Sequence, residues 1–209
     1  MPVVAVVNPK GGVGKTTLAT NLAGFFAANN QRTMLGDVDR QQSAKYWLDT
    51  RPNGVAPIET WDVAGGDVAR PPKGVTHVIL DTPAQINGKR LADIVRVADR
   101  ILVPLTPSMF DVRATQHFLE ELRAEFKNGK VFEDTVGIVG MRVDTRTRAS
   151  EELARFVNGL GLPVAGYLRD TQNYVQLAAH GLTLFDVPAV RVQKDRQTWE
   201  PLIEWVNKH

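Results

Sequence analysis

The chain has 209 residues, 43% of them hydrophobic and 23% charged, which suits a single domain over residues 1–209 with a sizeable core. It contains no cysteine, which excludes disulfides, thiolate metal sites, iron–sulfur ligation and cysteine nucleophiles. A formal charge of +2 with a pI near 9.0 implies a nucleic-acid partner only if arginines cluster on one face.

In chain order, short runs rich in Val, Ile and Leu alternate with segments of helical spacing, the pattern of βα units in a sheet covered on both faces. The runs predict strands over 3–8, 33–37, 75–81, 100–105, 135–143 and 164–168, with six as a minimum. Apolar spacings of three and four predict helices over 16–29, 89–98, 112–126, 150–160 and 171–180. The Gly- and Pro-rich stretch 50–74 reads as loop, with an optional edge strand at 58–61. The expected fold is α/β, a doubly wound, mostly parallel sheet with helices on both faces and its ligand at the strand C-terminal ends. Asn8, Asp37 and Asp81 fall at such ends.

Directly after the first strand comes Pro9-Lys10-Gly11-Gly12-Val13-Gly14-Lys15-Thr16-Thr17. Glycines there let backbone N–H groups turn inward around phosphate oxygens, and a helix begins at once. Lys15 can reach the β and γ phosphates, and the Thr16 hydroxyl can ligate magnesium. A ligand-free glycine turn is the competing reading, but strand, loop, Gly-Lys-Thr and helix in this order at a sheet edge favour nucleotide binding. Asp81, at the end of an apolar strand closed by Thr82-Pro83, stands where a magnesium-proximal carboxylate is wanted.

The loop departs from the strict phosphate-loop pattern, with Pro9 in place of glycine and an extra lysine at position 10. In this it closely resembles the deviant Walker A motif of the ParA/MinD family of P-loop ATPases. The resemblance extends through Asp37-Val38-Asp39-Arg40-Gln41-Gln42, Val78-Ile79-Leu80-Asp81-Thr82-Pro83, Val103–Ser108 up to Asp111, Val143-Asp144-Thr145-Arg146 and Ala178-Ala179-His180-Gly181. It implies a homodimer with ATP at its interface, Lys10 reaching the partner's phosphates, and Lys15 and Asp39 in catalysis. It also implies Mg2+ held by Thr16, Asp39 and Asp81, with Asp37 in support. Arg40 and Ala84 stand where the family carries prolines. Met141 replaces a frequent adenine-contacting asparagine, so base contacts are expected from Met141, Arg142 and the segment Leu168, Arg169, Asp170. The absence of an Asn-Lys-x-Asp guanine reader favours ATP.

Similar proteins position plasmids, chromosome origins or protein cargo by binding nonspecific double-stranded DNA as ATP dimers, until a ParB-like or cargo-adaptor partner stimulates hydrolysis. Candidate phosphate contacts are Arg142, Arg146, Arg148, Arg169 and, foremost, Arg191, Lys194 and Arg196. No helix-turn-helix segment is read ahead of the first strand, so sequence-specific DNA reading is not expected. The absence of cysteine disfavours a metal-cluster or metalloid-transport ATPase. A nucleotide-switched regulator with negligible turnover remains an alternative, as does a membrane-associated ATPase like the MinD branch. Trp199, Leu202, Ile203 and Val206 follow helical spacing, but the segment has too few basic residues for lipid and is expected to pack into the core. No apolar run reaches a membrane span and no basic leader precedes residue 3, so the expected location is cytoplasmic, nucleoid-associated in the ATP state.

Overall fold

The structure, a computed structural model, describes residues 2–61, 72–84, 86–107 and 111–208. Its elements are β1 Val3–Val6, α1 Lys15–Ala28, β2 Thr33–Asp37, α2 Ser43–Asp49, β3 Glu59–Trp61, β4 His77–Asp81, α3 Gly88–Val97 and β5 Arg100–Leu105. They continue with α4 Asp111–Ala124, α5 Gly129–Thr135, β6 Val136–Val143, α6 Arg148–Gly159, β7 Val164–Arg169, α7 Asn173–Ala178, α8 Ala189–Gln197 and α9 Glu200–Asn207. The strands form one sheet in the order β3-β2-β4-β1-β5-β6-β7, and every pairing is parallel.

Alternation along the central strands explains why both faces are covered. Val3, Ala5 and Val7 point into one core, where Leu91 and Ile94 of α3, Phe118 and Leu122 of α4, and Leu153 and Val157 of α6 meet them. Val4 and Val6 point into the other, against Leu18, Leu22 and Phe26 of α1, Trp47 of α2, and Trp199, Leu202 and Val206 at α9. A strand buried on both sides reads as a continuous apolar run, the signal used above. The optional edge strand exists as β3, paired parallel to β2.

Three helices escaped the periodicity reading. α2 and α5 have seven residues each, too few for a repeat to stand out. α8 is mostly polar, with non-helical backbone at Val192. The helix expected over 171–180 is shorter, Asn173–Ala178, and Thr135, expected to open a strand, closes α5. β1 stops at Val6 rather than residue 8, although the Val7 N–H still donates to the Leu102 carbonyl at 2.9 Å, and the Asn8 side chain holds the loop that follows. Residues 62–71 of the expected 50–74 loop, and Ser108 of the segment leading to Asp111, lie outside the described residues.

The terminal helix packs into the core as expected. Trp199, Leu202 and Val206 are buried, and Arg100 lies over the Trp205 ring while donating to the carbonyls of Asp134 and Lys208. Among the described residues, no helix is long and apolar enough to cross a membrane.

Candidate functional site

β1, β4 and β2 end side by side, and the glycine loop leaves the first of them. The buried Asn8 side chain fixes its start, donating to the Pro104 carbonyl at 2.8 Å and accepting from the Lys10 N–H at 2.7 Å. Thr82 ties β4 to β1 from the other side, its hydroxyl donating to the Val6 carbonyl at 2.7 Å. The loop ends on Gly14, which precedes α1 with φ 94°, a left-handed conformation that glycine adopts without strain. A Cβ at Gly14 would also lie 2.9 Å from the Met141 methyl carbon. Conformation calls for glycine here, and any larger residue would also displace the Met141 methyl.

The two residues that open α1 face the acids. The Thr16 hydroxyl donates to Asp81 Oδ2 at 2.6 Å across the β1–β4 junction. Lys15 Nζ donates to the Lys10 carbonyl at 2.8 Å and is buried; burial lowers its pKa, against the opposing pull of Asp81 and Asp39. Asp81 is 2% exposed, and its carboxyl is raised to about 7, chiefly by burial and in part by Asp37 and Asp39, against the lowering by Thr16 and Lys15. Its Oδ1 is buried without a hydrogen-bond partner. A buried, unpartnered carboxylate oxygen is costly unless a ligand supplies positive charge or a donor.

That orphan oxygen is the test of whether a cation fits, and the donor set passes it. A carboxylate and a hydroxyl, both hard oxygen donors, suit Mg2+, which binds through few protein groups with phosphate and water completing its shell. Among the described residues there is no cluster of three or more metal-ligating side chains, so most of that shell must come from nucleotide and solvent.

Asp37 and Asp39 make different contacts. Asp37 is a cap: it accepts from the N–H groups of Ala44 and Lys45 at 2.8 and 3.2 Å at the start of α2, and from the Asp39 N–H at 2.9 Å. Asp39 is half-buried in the turn before α2 and accepts from the Gln41 N–H at 3.0 Å. Lys10, Gly11 and Gly12 are exposed on the outer side of the loop, whereas Val13 is buried beneath it.

The candidate base residues divide as well. The Leu168 side chain is wholly buried in the core, so only its backbone could serve a base. Met141 is also buried, its methyl under Gly14, where it supports the loop instead of facing outward. Arg142 is exposed with φ 53°, at the bulge where the β6–β7 register shifts. The Asp170 N–H donates to the Val143 carbonyl at 3.3 Å, and Arg169 reaches Asp195 at 2.7 Å.

Of the candidate DNA contacts, Arg191 and Lys194 are exposed on α8. Arg196 is not available in the same way: its guanidinium donates to the carbonyls of Leu184 and Val187 at 3.0 and 2.9 Å and lies over the Phe185 ring. It anchors α8. Arg146 pairs with Asp144, and Arg148 with Glu152, on the exposed surface. Sequence reasoning passed over Asp195, a buried carboxylate with no motif around it.

Comparison with known proteins places the sequence and the fold. A family model described as the CobQ/CobB/MinD/ParA nucleotide binding domain matches residues 4–184. The chain is 32% identical over 190 residues to the maintenance of carboxysome distribution protein A of Gloeobacter kilaueensis, covering 87% of this chain and 83% of that one. Its fold is similar to the apo McdA of Cyanothece, with TM-score 0.73 and 14% identity over 99% of this chain and all of that one. It is similar also to a putative plasmid partition protein of Borrelia burgdorferi bound to AMPPNP, with TM-score 0.72 and 14% identity over 97% and 98% of the two chains.

Proposed function

Because the chain belongs to the CobQ/CobB/MinD/ParA nucleotide-binding family, whose ATP and Mg2+ its phosphate loop and Asp81 fit, we propose that it is a dimerising, ParA-type positioning ATPase. In the ATP state two copies pair with nucleotide at their interface and bind double-stranded DNA without regard to sequence. A partner protein then stimulates hydrolysis and release. Likeness to a carboxysome distribution protein over most of both chains carries this reading and makes a protein assembly the favoured cargo. The shorter matches to the chromosome-partitioning proteins span only 23% and 25% of the chain, too little to point to DNA as cargo.

In this reading the loop N–H groups and Lys15 hold the phosphates, and Thr16 and Asp81 hold Mg2+. When bound, the ion neutralises charge on the β and γ phosphates. Asp39, half-buried beside the loop, orients the attacking water. Exposed Lys10 reaches across the dimer to the partner's nucleotide, adding a second cation where charge builds on the leaving oxygen. Arg191 and Lys194 supply DNA-phosphate contacts, which weaken as salt rises. A membrane-docking role for the terminal helix is disfavoured, since Trp199, Leu202 and Val206 direct its apolar face into the core.

The test is twofold. Duplex DNA of unrelated sequences should be retained with ATP and released with ADP, progressively less well as salt increases; no ATP-dependent retention at low ionic strength defeats the DNA proposal. Phosphate release with DNA and the cognate partner should exceed that of Asp39→Ala. Equal release by the two proteins would leave a nucleotide-switched regulator in place of an enzyme.

A further inference from the structure

The acids orient the nucleotide along the sheet edge. Asp37, Asp39 and Asp81 lie at or just past the ends of β2 and β4, to one side of β1, so the cation-bound phosphate tail lies toward them. The base then lies the other way, toward β6 and β7. β7 is three strands from β1, about 14 Å at the usual spacing of ~4.8 Å per strand, a span that an extended nucleotide covers.

The β7 end of that edge is held from outside. After Arg169 the chain turns through Thr171 into α7, a helix with no fully buried residue. Polar groups from the end of β7, the turn and the start of α7 converge on one carboxylate of α8. Asp195 accepts from Arg169 Nη1 at 2.7 Å, from Asn173 Nδ2 at 2.5 Å and, weakly, from the Thr171 hydroxyl at 3.4 Å. The Asp195 side chain is 3% exposed and that of Arg169 43%. A buried anion thus fixes one side of a guanidinium whose other side stays open at the sheet edge. Trp199 Nε1, donating to the Tyr174 hydroxyl at 2.9 Å, fixes the next turn. α8 is itself held by the Arg196 bonds to the Leu184 and Val187 carbonyls.

We propose that Asp195 is a positioning residue for the base end of the nucleotide site. It touches no ligand; it holds Arg169 and the turn at 170–173 in the arrangement that receives base and ribose. This rests on the nucleotide site and is independent of DNA binding or cargo.

Asp195→Asn keeps the shape, removes the charge and sets an amide donor against the Arg169 or Asn173 donor. The intact protein and the variant are titrated calorimetrically with ATP and, separately, with inorganic tripolyphosphate, both with Mg2+. Tripolyphosphate engages the phosphate loop and has no base. The variant should bind ATP about tenfold more weakly, the scale of a lost charge-assisted hydrogen bond, while tripolyphosphate affinity stays within about twofold. Asn173→Ala, which removes one donor, should give a smaller loss of the same kind, and it carries the test if Asp195→Asn does not fold. Equal losses for the two ligands, or no loss for ATP, would overturn the proposal. A wild type that binds neither ligand would instead refute the nucleotide site itself.

Discussion

Replacing Asp81 with asparagine separates the stability cost of the site from its ligand-binding role. Burial raises the Asp81 carboxyl from its ordinary 3.8 to about 7. A folded-state pKa above the unfolded one means that the proton favours the fold: this contribution is whole below about pH 4 and is lost as pH rises through about 7. At about pH 8 the ligand-free fold carries this 2%-exposed carboxylate ionised at a cost of roughly 4 kcal/mol; at about pH 5 the folded carboxyl is protonated while the unfolded one is mostly ionised, and the cost is roughly 2 kcal/mol. Asparagine does not titrate and can still accept from the Thr16 hydroxyl at the position now bonded at 2.6 Å. In urea unfolding without nucleotide, the stability difference, Asp81→Asn minus wild type, should therefore be more positive by about 2 to 3 kcal/mol at about pH 8 than at about pH 5. With Mg2+ and ATP the gap at about pH 8 should narrow: wild type gains about 3 kcal/mol at a hundredfold excess over Kd, and the variant gains little. A stability difference that is the same at both pH values would show that Asp81 is ionised throughout, and the burial argument would fail.

Further substitutions address the phosphate loop and an ion pair away from it. Lys15→Ala should abolish nucleotide binding by calorimetry, whereas Lys10→Ala should retain binding but lose ATP-dependent dimerisation by light scattering or lose turnover. Gly14→Ala forces a side chain into a left-handed backbone 2.9 Å from the Met141 methyl, so stability should fall by about 1 to 3 kcal/mol and nucleotide affinity with it; trimming Met141 to alanine as well should return part of the loss. Arg51 pairs with Asp186 at side-chain exposures of 5% and 1% and also donates to the carbonyls of Ala56 and Gly181. Arg51→Ala should cost about 3 to 5 kcal/mol in denaturant unfolding, while Arg32→Ala, which breaks the exposed pair with Glu59, should leave the midpoint nearly unchanged.

The phosphate loop was legible because its chemistry is contiguous: Lys10 to Thr17 is one turn between a strand and a helix, and each residue type there has a local reason. The strands were legible because burial on both faces writes an unbroken apolar run, so β2 and β5 occupy the expected residues. α5 left a usable local signal that periodicity alone overlooked, since the Asn128 side chain accepts from the Val131 N–H as a helix cap. α8 left none. Its stability comes from Asp195 and Arg196 reaching groups elsewhere in the chain, so a polar segment with a kink becomes helical only in that setting.

What the sequence by itself determined, then, was the α/β class, the positions of most strands along the chain and a contiguous candidate phosphate loop, all consequences of neighbours along the chain. The tertiary structure alone decided what those residues meet. It brought Thr16 to Asp81, slid Met141 beneath Gly14, buried the Leu168 side chain so that only its backbone could meet a base, and gathered Arg169, Thr171 and Asn173 around Asp195. The physical reason is range. Backbone preference and burial pattern act over a few residues, whereas these contacts join groups brought together by strand order and by helices packed on the sheet.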